Sequence, residues 1–388
     1  MIDYKAQAAS AYINGEATLR IGENSLTVMA LFDAAEIPFA EINSISFANY
    51  IIRLDTDNGI FNFSRLGNLG ESFFDSLRGA YNKAVLRSMF ISGKPQLTAS
   101  GVYRYIEKGS NGGNTAPIHV YDNCITALPL DLTARRVPLC FANNVEKGAF
   151  EYTIKLDTGE SYSFAKLGYE TDNFASAVEN NIRKIREKSI NAVKEICPSL
   201  SMTQAMQLAK IMPLGTAAPL GQISAIAPVF TAALEEKLSV TRAAGSYSVF
   251  KELCDPAKIY IGFRKDETFE EDVPPDPYLL WLIAPSPDNQ YAAVEFAEAD
   301  SATFIYRTGG DFNDFAWQLA RALEAISFRR EVIRLSDEEL RKPENADYYM
   351  AVKRTAALRF IRANFAARII HSSAESWKRK LTEIWNRA

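Results

Sequence analysis

The segment Tyr50-Ile-Ile-Arg-Leu-Asp-Thr-Asp-Asn-Gly-Ile-Phe-Asn-Phe-Ser-Arg-Leu-Gly67 decides how this chain of 388 residues is built, because it occurs twice. It returns as Tyr152-Thr-Ile-Lys-Leu-Asp-Thr-Gly-Glu-Ser-Tyr-Ser-Phe-Ala-Lys-Leu-Gly168, with one residue deleted at the turn. The match extends upstream, where Ala17-Thr-Leu-Arg-Ile corresponds to Ala116-Pro-Ile-His-Val, and the offset drifts only from 99 to 102. Similarity that keeps its register over this distance predicts an internal duplication.

Each copy is predicted to fold as short strands followed by one helix. Apolar and polar residues alternate on both sides of Asp55-Thr-Asp-Asn-Gly59, a typical hairpin turn. After Gly67 the period becomes helical, with apolar residues four apart from Phe73 onward, and the second copy repeats this stripe from Phe174. A sheet closed by one amphipathic helix buries the apolar faces of both elements. About six strands can be identified in each copy.

The order of these elements resembles the pleckstrin-homology-like (PH-like) fold, and the chain resembles bacterial proteins with tandem PH-like domains. The resemblance covers residues 17–90 and 96–190. It implies an α+β protein of tandem PH-like antiparallel sheets or split barrels, with seven strands in each unit. Each sheet would be closed by a C-terminal helix, and further helical segments would complete the chain. For function, it implies only that a basic rim is a candidate ligand site.

Five segments follow from this interpretation. Residues 1–94 and 95–192 are the two PH-like units, and residues 193–245 are a helical insertion that starts at a Ser201–Gln204 capping box. Residues 246–333 again read as strands followed by one helix, opened by Asp311, and are predicted to be a divergent third unit. Residues 334–388 are predicted to be a basic helical tail.

Composition and missing signals narrow the function. The chain is 47% hydrophobic and 23% charged, a composition that excludes a disordered or coiled-coil protein. Its net charge of −4 means that no overall positive electrostatic field attracts nucleic acid. Four cysteines without a C-x-x-C pair and two histidines give no zinc pattern, so we expect reduced, mostly buried thiols. The uncharged stretch 211–234 is long enough to span a membrane, but its three prolines argue against a membrane-spanning helix. No signal peptide is visible at the N-terminus. We expect a cytoplasmic protein with no metal and no cofactor.

Two short motifs invite catalytic or phosphate-binding interpretations. Asp157-Thr-Gly159 spells the aspartic-protease triplet, but alternating strands flank it on both sides, which favours a water-exposed hairpin turn. Gly109-Ser-Asn-Gly-Gly-Asn114 lacks the spacing of a phosphate-binding loop and precedes a strand, which favours a flexible loop. Neither histidine lies in a nucleophile motif. The sequence therefore predicts no catalytic residue.

Basic residues that recur in both copies are the candidate ligand contacts. Arg53 is matched with Lys155, and Arg65 is matched with Lys166. A basic rim of this kind could contact an anionic ligand. The alternative is that these residues are solvated charges on the polar faces of alternating strands.

The C-terminal segment carries most of the charge asymmetry. Residues 351–388 have a net charge of +7, so the rest of the chain has −11, and Asp266–Asp276 holds six acidic residues. The tail could pack on its own chain or on another subunit, for example against this acidic loop, or it could bind a protein partner, lipid or nucleic acid. Basic and apolar residues share one helical face, which favours packing on protein. The candidate partner-binding residues are Arg359, Arg362, Arg368, Lys378, Arg379 and Lys380.

The function that follows is non-enzymatic binding or scaffolding through repeated modules, with a protein or peptide as partner. Open sheet edges are suited to taking an extended peptide strand. The first alternative is peripheral binding to an anionic membrane surface through the basic tail and rims. The second alternative is an enzyme whose residues meet only in three dimensions. No nucleic-acid partner is expected.

Overall fold

The computed structural model describes residues 2–91, 93–265, 278–297 and 302–386. This part of the chain is an α+β protein with three antiparallel sheets and helices that close and connect them. The acidic stretch Asp266–Asp276, which the sequence offers as a partner for the tail, lies outside the described residues, as does Arg387.

The first sheet has seven strands and is followed by one long helix. The strands are β1 (Asp3–Ala9), β2 (Asn14–Ile21), β3 (Ser25–Ala30), β4 (Ala34–Pro38), β5 (Ile42–Ala48), β6 (Ile51–Thr56) and β7 (Gly59–Ser64). Helix α1, Gly70–Ser88, follows them. The strand order is β4-β3-β2-β1-β7-β6-β5, so β4 and β5 form the edges.

The second sheet has the same order of strands. Its members are β8 (Leu97–Glu107), β9 (Ser110–Val120), β10 (Cys124–Ala127), β11 (Arg135–Pro138), β12 (Ala142–Lys147), β13 (Glu151–Leu156) and β14 (Ser161–Ala165), and helix α2 (Thr171–Ile196) follows. They are arranged β11-β10-β9-β8-β14-β13-β12. Each of these two sheets therefore has seven strands, one more than the sequence pattern identifies.

The helical stripes predicted after each sheet lie in the core. Phe73, Leu77 and Tyr81 of α1 are fully buried against the first sheet, and Phe174 and Val178 of α2 are buried against the second. Apolar residues spaced four apart form one face of a helix, and that face closes the open side of the sheet. This part of the sequence interpretation is confirmed.

The glycine cluster forms part of a strand, so the prediction of a flexible loop is wrong. Ser110–Asn114 belong to β9 and pair with β8, where Gly113 lies opposite Arg104. A Cβ atom on Gly113 would lie 2.3 Å from the carbonyl oxygen of Tyr103. Glycine is used here because the two strands approach closely, which is a packing requirement and not flexibility.

Four helices fill the segment between the second and third sheets. They are α3 (Met202–Ile211), α4 (Leu220–Ile226), α5 (Pro228–Ser239) and α6 (Ala244–Leu253). The predicted capping box is present at the start of α3, where Ser201 and Gln204 exchange side chain to backbone hydrogen bonds.

The third sheet differs in topology from the first two. Its six strands are β15 (Ala217–Pro219), β16 (Tyr260–Lys265), β17 (Tyr278–Pro285), β18 (Tyr291–Phe296), β19 (Ala302–Arg307) and β20 (Phe365–Ile370). They pair in simple sequence order. The four inner strands lie in the segment 246–333, but the two edge strands come from the neighbouring segments.

The C-terminal part of the chain is not entirely helical. Its helices are α7 (Phe312–Ala325), α8 (Glu331–Arg334), α9 (Asp337–Leu340), α10 (Ala346–Arg354), α11 (Ala356–Asn364) and α12 (Ala374–Trp385), and β20 interrupts them. Phe365, Ala367 and Ile369 are the less exposed residues of β20 and alternate with exposed neighbours, the pattern of a half-buried strand. The prediction of a helical tail is therefore wrong at β20.

Candidate functional site

The four basic candidates are not all equivalent in the two sheets. Ser44 of β5 pairs with Asp55, and Asn144 of β12 pairs with Lys155, so the position of Lys155 corresponds to Asp55. By the same register Arg53 corresponds to Thr153. The sequence match between Arg53 and Lys155 is therefore wrong, because the extra turn residue belongs to the second hairpin.

Arg65 and Lys166 do occupy matched positions. Both are exposed and follow the last strand of their sheet, with φ angles of 58° and 56°. A positive φ is uncommon for residues with a Cβ atom, so the same turn recurs before both closing helices. Arg53 is also exposed, and Lys155 forms an exposed ion pair in which its Nζ lies 2.6 Å from Oε1 of Glu146.

Most of the candidate cations in the C-terminal segment contact their own chain. Ion pairs join Arg362 to Asp337, Lys378 to Glu252 and Arg379 to Glu383; Arg359 donates to the carbonyl oxygens of Val352 and Lys353, Arg368 lies over the ring of Phe304, and Lys380 is exposed. The two tryptophans that the sequence offers to a membrane surface, Trp377 and Trp385, are buried. This segment is packed into the body of the protein.

Two helices from the C-terminal part of the chain, α7 and α10, close the same end of the two seven-stranded sheets. On the first sheet, α10 brings Lys353 to the turn after β6, where its Nζ lies 2.9 Å from Oδ1 of Asp57. The hydroxyl of Tyr349 also donates to Asp57, at 2.8 Å. This polar contact lies at the rim of the sheet and remains partly open to solvent.

On the second sheet, α7 makes the corresponding contact with buried groups. Nε of Arg321 lies 2.9 Å from Oε2 of Glu160, directly after the turn Asp157–Gly159, and both side chains are buried. Glu160 also accepts a hydrogen bond from the hydroxyl of Tyr162, at 3.1 Å. The predicted hairpin turn is confirmed, but its Thr158 is buried.

The buried charges extend further along the second sheet. Arg135 pairs with Glu107 across 2.7 Å, and Arg136 pairs with Glu324 of α7 across 2.6 Å. Burial raises the pKa of Tyr162, so its phenol stays protonated. Its hydroxyl lies within hydrogen-bond distance of both Glu107 and Glu160, at 3.0 Å and 3.1 Å. Sequence motifs do not identify this network, although two adjacent arginines in the apolar stretch 134–139 are a readable signal of paired buried charge.

A cleft of about 460 Å³ lies between strand β12 and helices α2 and α3. Its wall combines apolar side chains with a few charges, and includes Ile185, Ile190, Met206, Arg186, Lys210 and Asp157. One guanidinium nitrogen of Arg186 donates to the carbonyl oxygen of Ala142 at 3.2 Å, which fixes α2 against the start of β12. The arrangement suits a ligand with apolar groups and an acidic group.

The outer edges of β5 and β12 are used differently. The N–H of Ile45 in β5 donates to the carbonyl oxygen of Leu130 at 2.8 Å, and Ser44 forms an antiparallel bridge with Asp131. The loop between β10 and β11 thus adds a short extended segment to the first sheet. Strand β12 is the corresponding edge of the second sheet and borders the cleft.

A histidine and a carboxylate meet in the third sheet. Nε2 of His371 lies 3.4 Å from Oε1 of Glu295 and 2.9 Å from Oγ1 of Thr303. The indole N–H of Trp377 donates to the same hydroxyl at 2.8 Å. Because Thr303 is fully buried, its hydroxyl cannot meet a substrate, and this cluster fastens α12 and β20 to the sheet.

Within the described ranges, no three histidine, cysteine, aspartate or glutamate side chains form a potential metal site. The four cysteines are free thiols; Cys124 and Cys197 are buried, and burial raises the pKa of Cys254 to about 11. No described helix combines the length and the hydropathy needed to cross a membrane.

Comparison with known proteins identifies no family whose model matches this sequence. It also finds no curated protein with significant similarity to the chain.

Proposed function

We propose that the chain is a non-enzymatic binding and scaffolding protein with two PH-like units, and that it takes an extended peptide along strand β12. The resemblance to PH-like domains is supported by the common strand order of the first two sheets and by the helix that follows each. The peptide mode is supported by how the chain treats its own sheet edges.

The observation that carries the proposal is the backbone contact between Ile45 and Leu130. Val145 pairs with Ile154 in the register in which Ile45 pairs with Leu54. Antiparallel ladders alternate inward and outward N–H groups, so the N–H of Val145 points to the outer edge, as that of Ile45 does. A peptide carbonyl can accept this hydrogen bond in the way that the carbonyl of Leu130 accepts its counterpart.

The cleft beside β12 supplies the side-chain selectivity. Alternate side chains of an added strand point toward the same face, where Ile190 and Met206 offer apolar surface. Arg186 and Lys210 outnumber Asp157 among the charged wall residues, which favours an acidic group on the peptide. The proposed ligand is therefore an extended peptide with alternating apolar residues and one acidic residue.

Selection from a phage-displayed library of random linear peptides on the full chain tests this function. We expect enriched peptides with the stated pattern, and a loss of affinity of at least about tenfold in Val145→Pro, which removes the edge N–H, and in Met206→Trp, which fills the cleft. Phe150→Ala changes an exposed residue on the same hairpin and keeps the affinity. Unchanged binding to Val145→Pro and Met206→Trp, or no enrichment, would refute the proposal, provided that thermal unfolding shows both variants folded.

A further inference from the structure

Four arginines surround a small internal cavity where the two seven-stranded sheets meet α7 and α10. Arg135 and Arg136 come from β11, Arg321 from α7 and Arg354 from α10, and they line a cavity of about 20 Å³. Each is no more than 8% exposed. Buried charges require compensation, so the count of charges around the cavity indicates what it can hold.

Three of the four arginines have a carboxylate partner. The nitrogen–oxygen distances are 2.7 Å for Arg135–Glu107, 2.9 Å for Arg321–Glu160 and 2.6 Å for Arg136–Glu324. These three pairs are electrically neutral together.

Arg354 is the one arginine of these four that has no carboxylate partner among the described residues. Its guanidinium donates to the hydroxyl of Tyr81 at 2.6 Å and to the carbonyl oxygen of Met350 at 3.3 Å, and neither group carries a negative charge. Burial raises the pKa of Tyr81, so the phenol stays neutral.

Four buried guanidinium groups thus pair directly with three carboxylates, which leaves one positive charge in excess among these pairs. The partly buried Asp131 acts on Tyr81 only through space and is hydrogen-bonded to Asn114 and Thr133.

Two donors at the cavity are also unused. Nε of Arg136 and Nε of Arg354 are buried and have no hydrogen-bond partner in the described part of the chain. Both residues line the cavity. Buried N–H groups are nearly always paired, and those of charged groups cost most when they are not.

We propose that this cavity binds one small monovalent anion, with chloride as the physiological candidate. The anion balances the excess charge and accepts hydrogen bonds from Arg136 and Arg354. A cavity of about 20 Å³ holds a single small guest. The single excess charge favours a monovalent ion over phosphate. A water molecule would satisfy the donors but leave the charge uncompensated, which favours the anion.

Such a site stabilises the assembled chain because its walls come from distant segments. Arg321 and Arg354 reach it only when α7 and α10 are docked on their sheets. A ligand that binds only the folded protein shifts the unfolding equilibrium by mass action. The site is independent of the proposed peptide cleft, since the two share no wall residue.

The first test is thermal unfolding of the full chain in sodium chloride and in sodium gluconate at equal ionic strength. We expect the Tm to rise with chloride, by about 2 °C for each tenfold increase above the dissociation constant. Gluconate is too large for the cavity and gives no such rise. Equal Tm values in both salts at every concentration would overturn the proposal. This is the result expected if water, and not an anion, fills the cavity.

The second test locates the effect. Arg354→Gln removes the excess charge and is expected to abolish the chloride dependence, whereas Arg104→Gln, at an exposed arginine, retains it. Full chloride dependence in Arg354→Gln would place the anion elsewhere and overturn the proposal. Crystals of the unaltered chain grown in bromide give a readout that needs no variant. An anomalous peak between Arg136 and Arg354 supports the site, and its absence contradicts it.

Discussion

The first and second sheets share a strand order but are closed at the same end by helices of very different electrostatics. On the first sheet, the Lys353–Asp57 pair has side chains that are 12% and 21% exposed. On the second sheet, the Arg321–Glu160 pair is 4% and 8% exposed and belongs to a larger buried network. Identical topology therefore does not imply an equal dependence on charge.

This difference indicates where the loss of one charged side chain should destabilise the fold most. A partly exposed pair costs less free energy of unfolding when it is broken, since water can reach the remaining group. A buried pair leaves an unsolvated charge behind when one member is removed. Substitutions at the two kinds of pair should therefore differ in their effect on stability, and the effect should be largest at the buried pair.

Breaking the buried pair should have the largest effect. Arg321→Met leaves both Glu160 and Glu324 without this partner, and we expect a loss of about 3–5 kcal/mol in the free energy of unfolding. Urea unfolding followed by circular dichroism measures it. Arg104→Met, at an exposed arginine, is the control and should change the value by no more than about 0.5 kcal/mol. A loss below that level in Arg321→Met would contradict the comparison.

The close approach of β8 and β9 is a second property of the second sheet. Gly113→Ala places a methyl group against the carbonyl oxygen of Tyr103, and we expect a loss of about 1–3 kcal/mol. In the first unit, Gly79→Ala meets no atom within 4 Å on an exposed position of α1, and should stabilise the chain by about 0.5–1 kcal/mol. The same urea experiment applies. Equal signs for the two substitutions would refute the packing explanation.

Breaking the rim pair on the first sheet should have a smaller effect. Lys353→Met keeps the apolar stem of the side chain and removes only its charge, and we expect a loss of at most about 1 kcal/mol. Raising the salt concentration should reduce the difference from the unaltered chain. A loss as large as that in Arg321→Met would show that exposure does not distinguish the two pairs.

The smallest expected effect is on the loss of stability at low pH. Burial raises the pKa of Asp57, but hydrogen bonds from Lys353 and Tyr349 outweigh it and hold the pKa below the ordinary 3.8. Its stabilising contribution is therefore complete above that value and is lost as the pH falls through the folded pKa. Asp57→Asn should flatten the decline of Tm with pH below about 4. If the decline of Tm below about pH 4 were the same in Asp57→Asn as in the unaltered chain, this pair would not contribute to the loss of stability in acid.

Local features were predictable from the sequence, while the packing between segments was not. The hairpin turn at Asp157 and the stripe from Phe73 follow from periodicity within a few residues. The register error arose because sequence similarity cannot tell where the extra turn residue lies, and only the pairing of Asn144 with Lys155 settles it. Strand β20 could not be predicted from periodicity, because Phe365-Ala-Ala-Arg-Ile-Ile370 does not alternate apolar and polar residues; only its burial alternates.

The buried network could not be predicted because its partners are distant. Glu160 and Arg321 are 161 residues apart, and nothing in either local sequence identifies the other. The adjacent pair Arg135 and Arg136 indicated buried charge but not its counterions. The cleft beside β12 has the same difficulty, since α3 supplies one wall and belongs to a segment that follows the second sheet.

The order in which the third sheet acquires its strands has a consequence for synthesis on the ribosome. Its edge strand β20 spans Phe365–Ile370, so the sheet stays incomplete until these residues have emerged, well after its inner strands. The seven strands of the first sheet and α1, by contrast, have all been synthesised by Ser88. We expect the nascent chain to carry a folded first unit beside an unfinished third sheet whose strand edge is exposed. Chain termination before β20 would therefore release a product with an open, adhesive edge.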